Sequence, residues 1–255
     1  MATTTTGRFV WHELHTNDRI KAQKFYTQLM GWETKEVPMG PGEPYTLCLL
    51  NGKDFAGITK SMAPQNVPPH WLPYLAVEHV DSAATKAKEI GGKIMSPPMD
   101  IPNVGRFAVV TDPQGAAFAL YADSKAYPPE PDQPPIGGFC WDELQTSDPE
   151  AAAKFYVGLF GYSGVDSTEM GPMGTYRIVK RGDRQTAGIM KMPPNVPHPN
   201  WVSFLAVKDV DASTRKAKDL GATVFMQPTD IPKIGRFSVF ADPTGAVIAL
   251  FTGAM

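Results

Sequence analysis

Cysteine is nearly absent from this chain. Cys48 and Cys140 are the only two in 255 residues, and no CxxC pair occurs. A disulfide framework and a thiolate-rich metal centre are therefore excluded. No stretch approaches the roughly 20 apolar residues needed to cross a bilayer. There is no run of Lys or Arg and the net charge is −2, so nothing points to nucleic acid or to an anionic membrane surface as a partner. The opening MATTTTGRFV has neither the charged nor the apolar region of a secretory signal. GxGxxG, P-loop and GxSxG motifs are missing, which leaves nucleotide binding and serine hydrolysis without support. The expectation is a cytoplasmic protein with reduced thiols, neither nucleic acid nor membrane as partner, and a monomer or homodimer as its state.

What is present suits a soluble protein with a sizeable core: 42% of residues are hydrophobic and 20% charged, and the length suffices for one large domain or two ordinary ones. The chain repeats itself. RFVWHELHTNDRIKAQKFYTQLMGW is echoed 130 residues later by GFCWDELQTSDPEAAAKFYVGLFGY. WLPYLAVEHVDSAATKAKEIGGKI returns as WVSFLAVKDVDASTRKAKDLGATV, and DIPNVGRFAVVTDPQGAAFALY as DIPKIGRFSVFADPTGAVIALF. Kept order and nearly constant spacing mark a tandem duplication. Between the halves lies AYPPEPDQPP, whose prolines disfavour helix and sheet interior alike and read as a stiff, extended linker. The spacing gives a tail at 1–7, a first domain at 8–124, a linker at 125–137 and a second domain at 138–255.

Within the first half the pattern predicts a strand over Arg8 to Thr16, then a helix capped by Asp18 and stopped at Gly31. Strands follow at WETKEVP, YTLCLL and FAGITK. The order then restarts: strand WLPYLAV, helix DSAATKAKEI, and strands KIMSPP, RFAVVT and AAFALY, the last two joined by the DPQG turn. Each half is strand–helix–three strands performed twice.

These units, with T(N/S)D…FY…(M/F)G after the first strand, LAV…VD…A.K in the middle and GRF.V..DP.GA..AL at the end, resemble the glyoxalase/bleomycin-resistance/extradiol-dioxygenase superfamily, whose fold is called vicinal oxygen chelate. The resemblance covers nearly the whole chain. It implies an α+β fold of four βαβββ units forming two tandem domains, whose sheets curl into cups that hold a small molecule.

The stretch WHELH, residues 11 to 15, holds the His and Glu of which metal sites are made. As a strand it splits: Trp11, Glu13 and His15 point one way, and Val10, His12 and Leu14 the other. It is not HExxH, which needs histidines four apart on a helix. Its twin, WDELQ, keeps Trp141 and Glu143 but has Asp142 and Gln145 in place of the histidines. Metal-dependent members of the family place their ligands where this chain has Trp11, Leu72 and Ala119, and Trp141, Val202 and Ala249, none of which can coordinate. No cofactor is expected on that ground. A displaced set of Glu13, His15 and His70 keeps a divalent metal, and with it a lyase or dioxygenase, open as an alternative.

The strand phases place Trp11, Glu13, Tyr74 and Tyr121 on the inner face, matched by Trp141, Glu143, Phe204 and Phe251. An aromatic lining around one carboxylate is a recurring composition for small-molecule sites. Glu13 and Glu143 are the catalytic or anchoring candidates, and a desolvated carboxylate there has a raised pKa. Arg106 and Arg236, repeated in GRF, are the candidate cations, as ligand-binding groups or as partners of the glutamates. Two readings of the Trp pair stand at this point: pocket walls, or side chains that fill the cup as core. The protein then either binds or transforms a small apolar or aromatic molecule, or serves as a non-catalytic interaction module.

Overall fold

The computed structural model describes residues 5–40, 42–62, 67–171 and 174–254. Parts of the expected tail (1–4) and of the Gly/Pro/Met loops PMGPGEPY and EMGPMGTY (41, 172 and 173) lie outside the described residues. The first half contains β1 (Phe9–Thr16), α1 (Arg19–Met30), β2 (Glu33–Val37), β3 (Tyr45–Leu50) and β4 (Lys53–Lys60). It continues with β5 (His70–Ala76), α2 (Val80–Glu89), β6 (Lys93–Ile101), β7 (Gly105–Thr111) and β8 (Ala117–Asp123). The second half repeats the order as β9 (Phe139–Thr146), α3 (Pro149–Phe160), β10 (Gly164–Glu169), β11 (Thr175–Arg181) and β12 (Arg184–Lys191). It closes with β13 (Asn200–Ala206), α4 (Val210–Asp219), β14 (Thr223–Ile231), β15 (Gly235–Ala241) and β16 (Val247–Gly253). The α+β fold of four βαβββ units is as expected.

Two eight-stranded sheets result, in the orders β2-β3-β4-β1-β5-β8-β7-β6 and β10-β11-β12-β9-β13-β16-β15-β14. In each unit the first and last strands pair in parallel, as in β1 with β4, because the helix carries the chain across between them. Local chemistry fixes the helix ends. The Asp18 side chain accepts from Lys21 N, and Gly31 closes α1 in the left-handed conformation at φ 74°. Asp148 and Gly161 do the same for α3. Among the described residues no helix is long and apolar enough to cross a membrane.

Strand alternation decides which side chains enter the core. In β1, His12, Leu14 and Thr16 are buried while Trp11, Glu13 and His15 lie half-buried on the opposite face. β9 repeats this with Asp142, Leu144 and Thr146 inward and Trp141, Glu143 and Gln145 on the other face. WHELH is strand, and its histidines do part.

Each sheet comes from one half, but each hydrophobic core draws on both. One compact unit comprises Met1–Val10, Pro73–Glu130 and Trp141–Trp201. Its core joins Leu75, Val110 and Phe118 of the first half to Phe155, Tyr156 and Leu159 of the second. Tyr156 Oη donates to Asp112 Oδ2 at 3.2 Å, and Trp201 Nε1 donates to Tyr156 Oη at 3.1 Å. The other Asp112 oxygen accepts the backbone N–H groups of Gln114, Gly115 and Ala116. The kept DP.G turn is therefore an anchor as well as a corner. The linker is tied down here too, because Glu130 pairs with Arg181, and with Arg184 at 3.3 Å.

The second compact unit comprises Trp11–Leu72, Pro131–Cys140 and Val202–Met255. The same network recurs with the halves exchanged: Tyr26 Oη donates to Asp242 Oδ2 at 3.0 Å and Trp71 Nε1 to Tyr26 Oη at 2.9 Å. Phe139 packs edge-on against Trp71, and buried His12 stacks on Phe139 at 3.7 Å. Trp32 Nε1 donates to Gly137 O at 2.8 Å.

Candidate functional site

The first site starts from a glycine. Glu13 on β1 lies opposite Gly57 on β4, which in turn faces Leu47 on β3. A Cβ on Gly57 would lie 1.8 Å from Tyr45 Oη. The bare backbone therefore lets the Tyr45 ring lie across β4 and reach the next strand. There its hydroxyl donates to Glu13 Oε2 at 2.7 Å, and Trp11 Nε1 donates to the same hydroxyl oxygen at 3.2 Å. The second half builds the same triad. Gly188 faces Glu143, its Cβ would fall 1.9 Å from Tyr176 Oη, Tyr176 donates to Glu143 Oε2 at 3.0 Å and Trp141 to Tyr176 at 3.0 Å. In both, an indole-to-phenol-to-carboxylate relay ends on a glutamate, and each bond polarises the next.

The polar neighbours differ. His15 Nε2 sits 2.8 Å from Glu13 Oε1, an electrostatic contact rather than an aligned hydrogen bond. His70 stacks parallel on His15, with ring centroids 5.2 Å apart. His70 Nδ1 lies 2.9 Å from Pro68 O, and since a carbonyl only accepts, Nδ1 carries the proton of the neutral ring. Burial, aided by nearby His15, lowers the His70 pKa. In the second half Gln145 Nε2 donates to Glu143 Oε1 at 3.2 Å and Asn200 Nδ2 to His198 O at 3.2 Å. Burial raises the Glu143 pKa, with the Gln145 and Tyr176 hydrogen bonds opposing it. Burial and adjacent Glu143 also push the Tyr176 phenol far up, so it stays a donor.

The two glutamates and two tryptophans are thus joined by residues missed in the sequence, Tyr45 and Tyr176. Trp11 and Trp141 are half-buried and use their N–H groups. The remaining aromatics sort by unit. Tyr74 and Tyr121 are buried together at 6.0 Å between ring centroids, and Tyr121 Oη donates to Asp123 Oδ2. Phe204 packs near Phe237, which pairs with Phe251 across the sheet. The arginines expected as partners of the glutamates are instead committed to aspartates. Arg106 binds Asp81 through Nε and Nη2 and Asp100 through Nη1. Arg236 binds Asp211 and Asp230 in the same way. A guanidinium satisfied on three nitrogens by two carboxylates has little left for another anion.

The residues do not fit the metal that the fold family implies. Leu72, Ala119, Val202 and Ala249 are buried and apolar, and Trp11 and Trp141 donate rather than accept. Glu13, His15 and His70 do come together, yet the parallel imidazoles lie face to face instead of converging on one point. Among the described residues no group of three or more His, Cys, Asp or Glu side chains is arranged to hold a metal. Two shallow surface cavities, of about 390 and 370 Å³, are lined by Arg236 with its aspartates and by Lys154, Arg177 and Glu150, and neither includes a triad member.

Fold and sequence together identify the family. The model of the glyoxalase/bleomycin resistance protein/dioxygenase superfamily matches residues 8–120 and 139–250, and the chain belongs to that superfamily. It is 38% identical to the glyoxylase-named protein CFP32 of Mycobacterium tuberculosis, over 96% of this chain and 94% of that one. It is 32% identical to the anthracycline biosynthesis protein DnrV of Streptomyces peucetius, over 94% and 91%. Among solved structures, its fold is similar to that of the Mn(II)-bound glyoxalase from Novosphingobium aromaticivorans (TM-score 0.64, 16% identity, 97% of this chain and 82% of that one). It is also similar to the 2,3-dioxygenase LapB from Pseudomonas sp. KL28 (TM-score 0.67, 12% identity, 99% and 94%).

Proposed function

We propose that each half of the chain, 8–124 and 138–255, supplies one site for a small, partly aromatic molecule, built on the triads Trp11–Tyr45–Glu13 and Trp141–Tyr176–Glu143 and working without a metal centre. The observation that carries this is the duplicated triad with its facing glycine, retained in both halves although the polar residues around it have changed. A carboxylate placed among aromatic side chains is costly unless something uses it. The two aromatic groups offer flat apolar surface, and the glutamate offers an acceptor that fixes orientation. Resemblance to proteins named for anthracycline biosynthesis points the same way, toward an aromatic ligand. Either glutamate can also accept a proton from such a ligand, which is the route by which binding becomes catalysis.

The test is indole fluorescence titration of the full chain against a panel of hydroxylated and amino-substituted aromatic molecules. Glu13→Gln with Glu143→Gln keeps shape and most hydrogen bonds, so the fold stays intact while affinity falls at least ~10-fold, or ~1.4 kcal/mol. Unchanged affinity in the folded double variant overturns the reading and makes the carboxylates structural.

A further inference from the structure

We propose that the second-half site takes the ammonium group of a small aromatic amine, with Glu143 as its counterion and the Trp141 indole as its aromatic wall. This rests on the reading of the triads as ligand sites and names the ligand chemistry for one of them.

The first argument is the donor and acceptor inventory. The Trp141 N–H is engaged by Tyr176, and the Tyr176 hydroxyl by Glu143. The orientation of the Gln145 amide is fixed by its partner: the Glu143 carboxylate only accepts, so Gln145 Nε2 faces it. The Trp141 and Tyr176 donors are thus already engaged, and Gln145 Oε1 remains as an acceptor beside the carboxylate. A ligand N–H has both the carboxylate and this amide oxygen to donate to.

The second argument is charge. Glu143 is half-buried, and no Lys or Arg among the described residues acts on it; its surroundings are Gln145, Tyr176 and burial itself. In the first half Glu13 has His15 at 2.8 Å, a group able to carry positive charge. Gln145 stands at that place in the second half and cannot. The second site therefore lacks a cation that the first can supply from its own side chain. A phosphate or carboxylate ligand would meet the like charge of Glu143 there, whereas an ammonium supplies the missing charge and donates to Glu143 and to Gln145 Oε1. An indole face beside the carboxylate adds cation–π attraction.

The experiment compares three probes on the full chain at neutral pH by calorimetry: 2-phenylethylamine, its neutral N-acetyl derivative, and the anion 3-phenylpropanoate. The amine is expected to bind at least ~10-fold more tightly than either analogue. Glu143→Gln removes that preference and Glu13→Gln retains it. Should Glu143→Gln fail to fold, Gln145→Ala serves instead, lowering amine affinity about threefold by removing an acceptor without touching charge. No amine binding at about 10 mM, equal binding of the acetyl derivative, or a preference that survives Glu143→Gln each overturns the proposal. If neutral aromatic ligands still bind and are weakened by Glu143→Gln, only the amine assignment falls. If nothing in the wider aromatic panel responds to either glutamate, the ligand sites themselves fall with it.

Discussion

Around Trp11, Tyr45 and Glu13 the polar neighbours are imidazoles; beside Trp141, Tyr176 and Glu143 stands the Gln145 amide. The cores make a parallel comparison. Tyr26–Asp242–Trp71 and Tyr156–Asp112–Trp201 are the same network twice, with hydrogen bonds between 2.9 and 3.2 Å. Beside these networks, His12 stacking on Phe139 in one unit corresponds to buried Asp142 in the other, and Leu50 to buried Arg181. The duplication kept groups whose bonds interlock and let single neighbours diverge. A relay that shares its donors and acceptors loses several bonds with any one residue, whereas a residue beside it can change from imidazole to amide at small cost.

The largest expected effect tests the kept part. Asp112→Ala and Asp242→Ala each remove the acceptor for three backbone N–H groups and a buried tyrosine, and each should cost about 3–5 kcal/mol in urea unfolding. Costs that differ by more than ~2 kcal/mol would show that the two networks are not equivalent. Next come Gly57→Ala and Gly188→Ala. The new methyl collides with the tyrosine hydroxyl, so the ring must leave its glutamate, costing about 1–3 kcal/mol and abolishing the fluorescence response to ligand. A variant with unchanged melting temperature and unchanged response would rule out the close approach.

Glu143→Gln sharpens the contrast through pH. The folded-state pKa of Glu143 is raised above its ordinary 4.5, so the folded protein holds that proton more tightly than the unfolded chain does. The wild-type side chain therefore favours folding below pH 4.5, and this advantage is lost as pH rises through the raised value. Glutamine does not titrate. The melting temperature of the variant minus that of the wild type should become more positive between about pH 4 and pH 7; a flat or falling difference would refute the desolvation account. The smallest effect belongs to His15→Gln with His70→Asn, which turns the first site's neighbours into those of the second. Stability should move by less than ~1 kcal/mol, while the first site's ligand preference shifts toward that of the second. Loss of folding would mean the stacked imidazoles are structural.

Local pattern was readable to within a few residues. The alternation of WHELH, the caps at Asp18 and Gly31 and the turn at Asp112 all follow from neighbours in sequence. β6 runs on to Ile101 through Pro97 and Pro98, beyond the expected KIMSPP, because it is an edge strand whose register shifts between Ser96 and Met99 absorb the prolines. Long-range partners were not readable. FY and DP.G stood out as repeated, but nothing local says that the tyrosine of one half meets the aspartate of the other. Lys86 and Lys216, in the last turns of α2 and α4, donate to Leu159 O and Leu29 O at the ends of α3 and α1. Repetition in GRF marks Arg106 and Arg236 as ligand-binding groups or partners of the glutamates, whereas the aspartates that take them repeat as well. Tyr45 and Tyr176 did leave a signal: tyrosine and glycine stand 12 apart in both halves, 45 to 57 and 176 to 188.

The exchange of halves between the two cores sets a timetable for the growing chain. The unit that ends at Trp201 has all its parts once that residue is made, but the other must wait for Val202–Met255. Tyr26 meets Asp242 across 216 residues. At roughly 5–20 residues per second, α1 and the strands beside it spend on the order of ten seconds or more without α4. During that interval Tyr26, Trp32 and Trp71 have no finished core to enter. α1 is therefore covered only by segments made long after it, and the yield in the cell should depend on whatever shields that apolar face while synthesis continues.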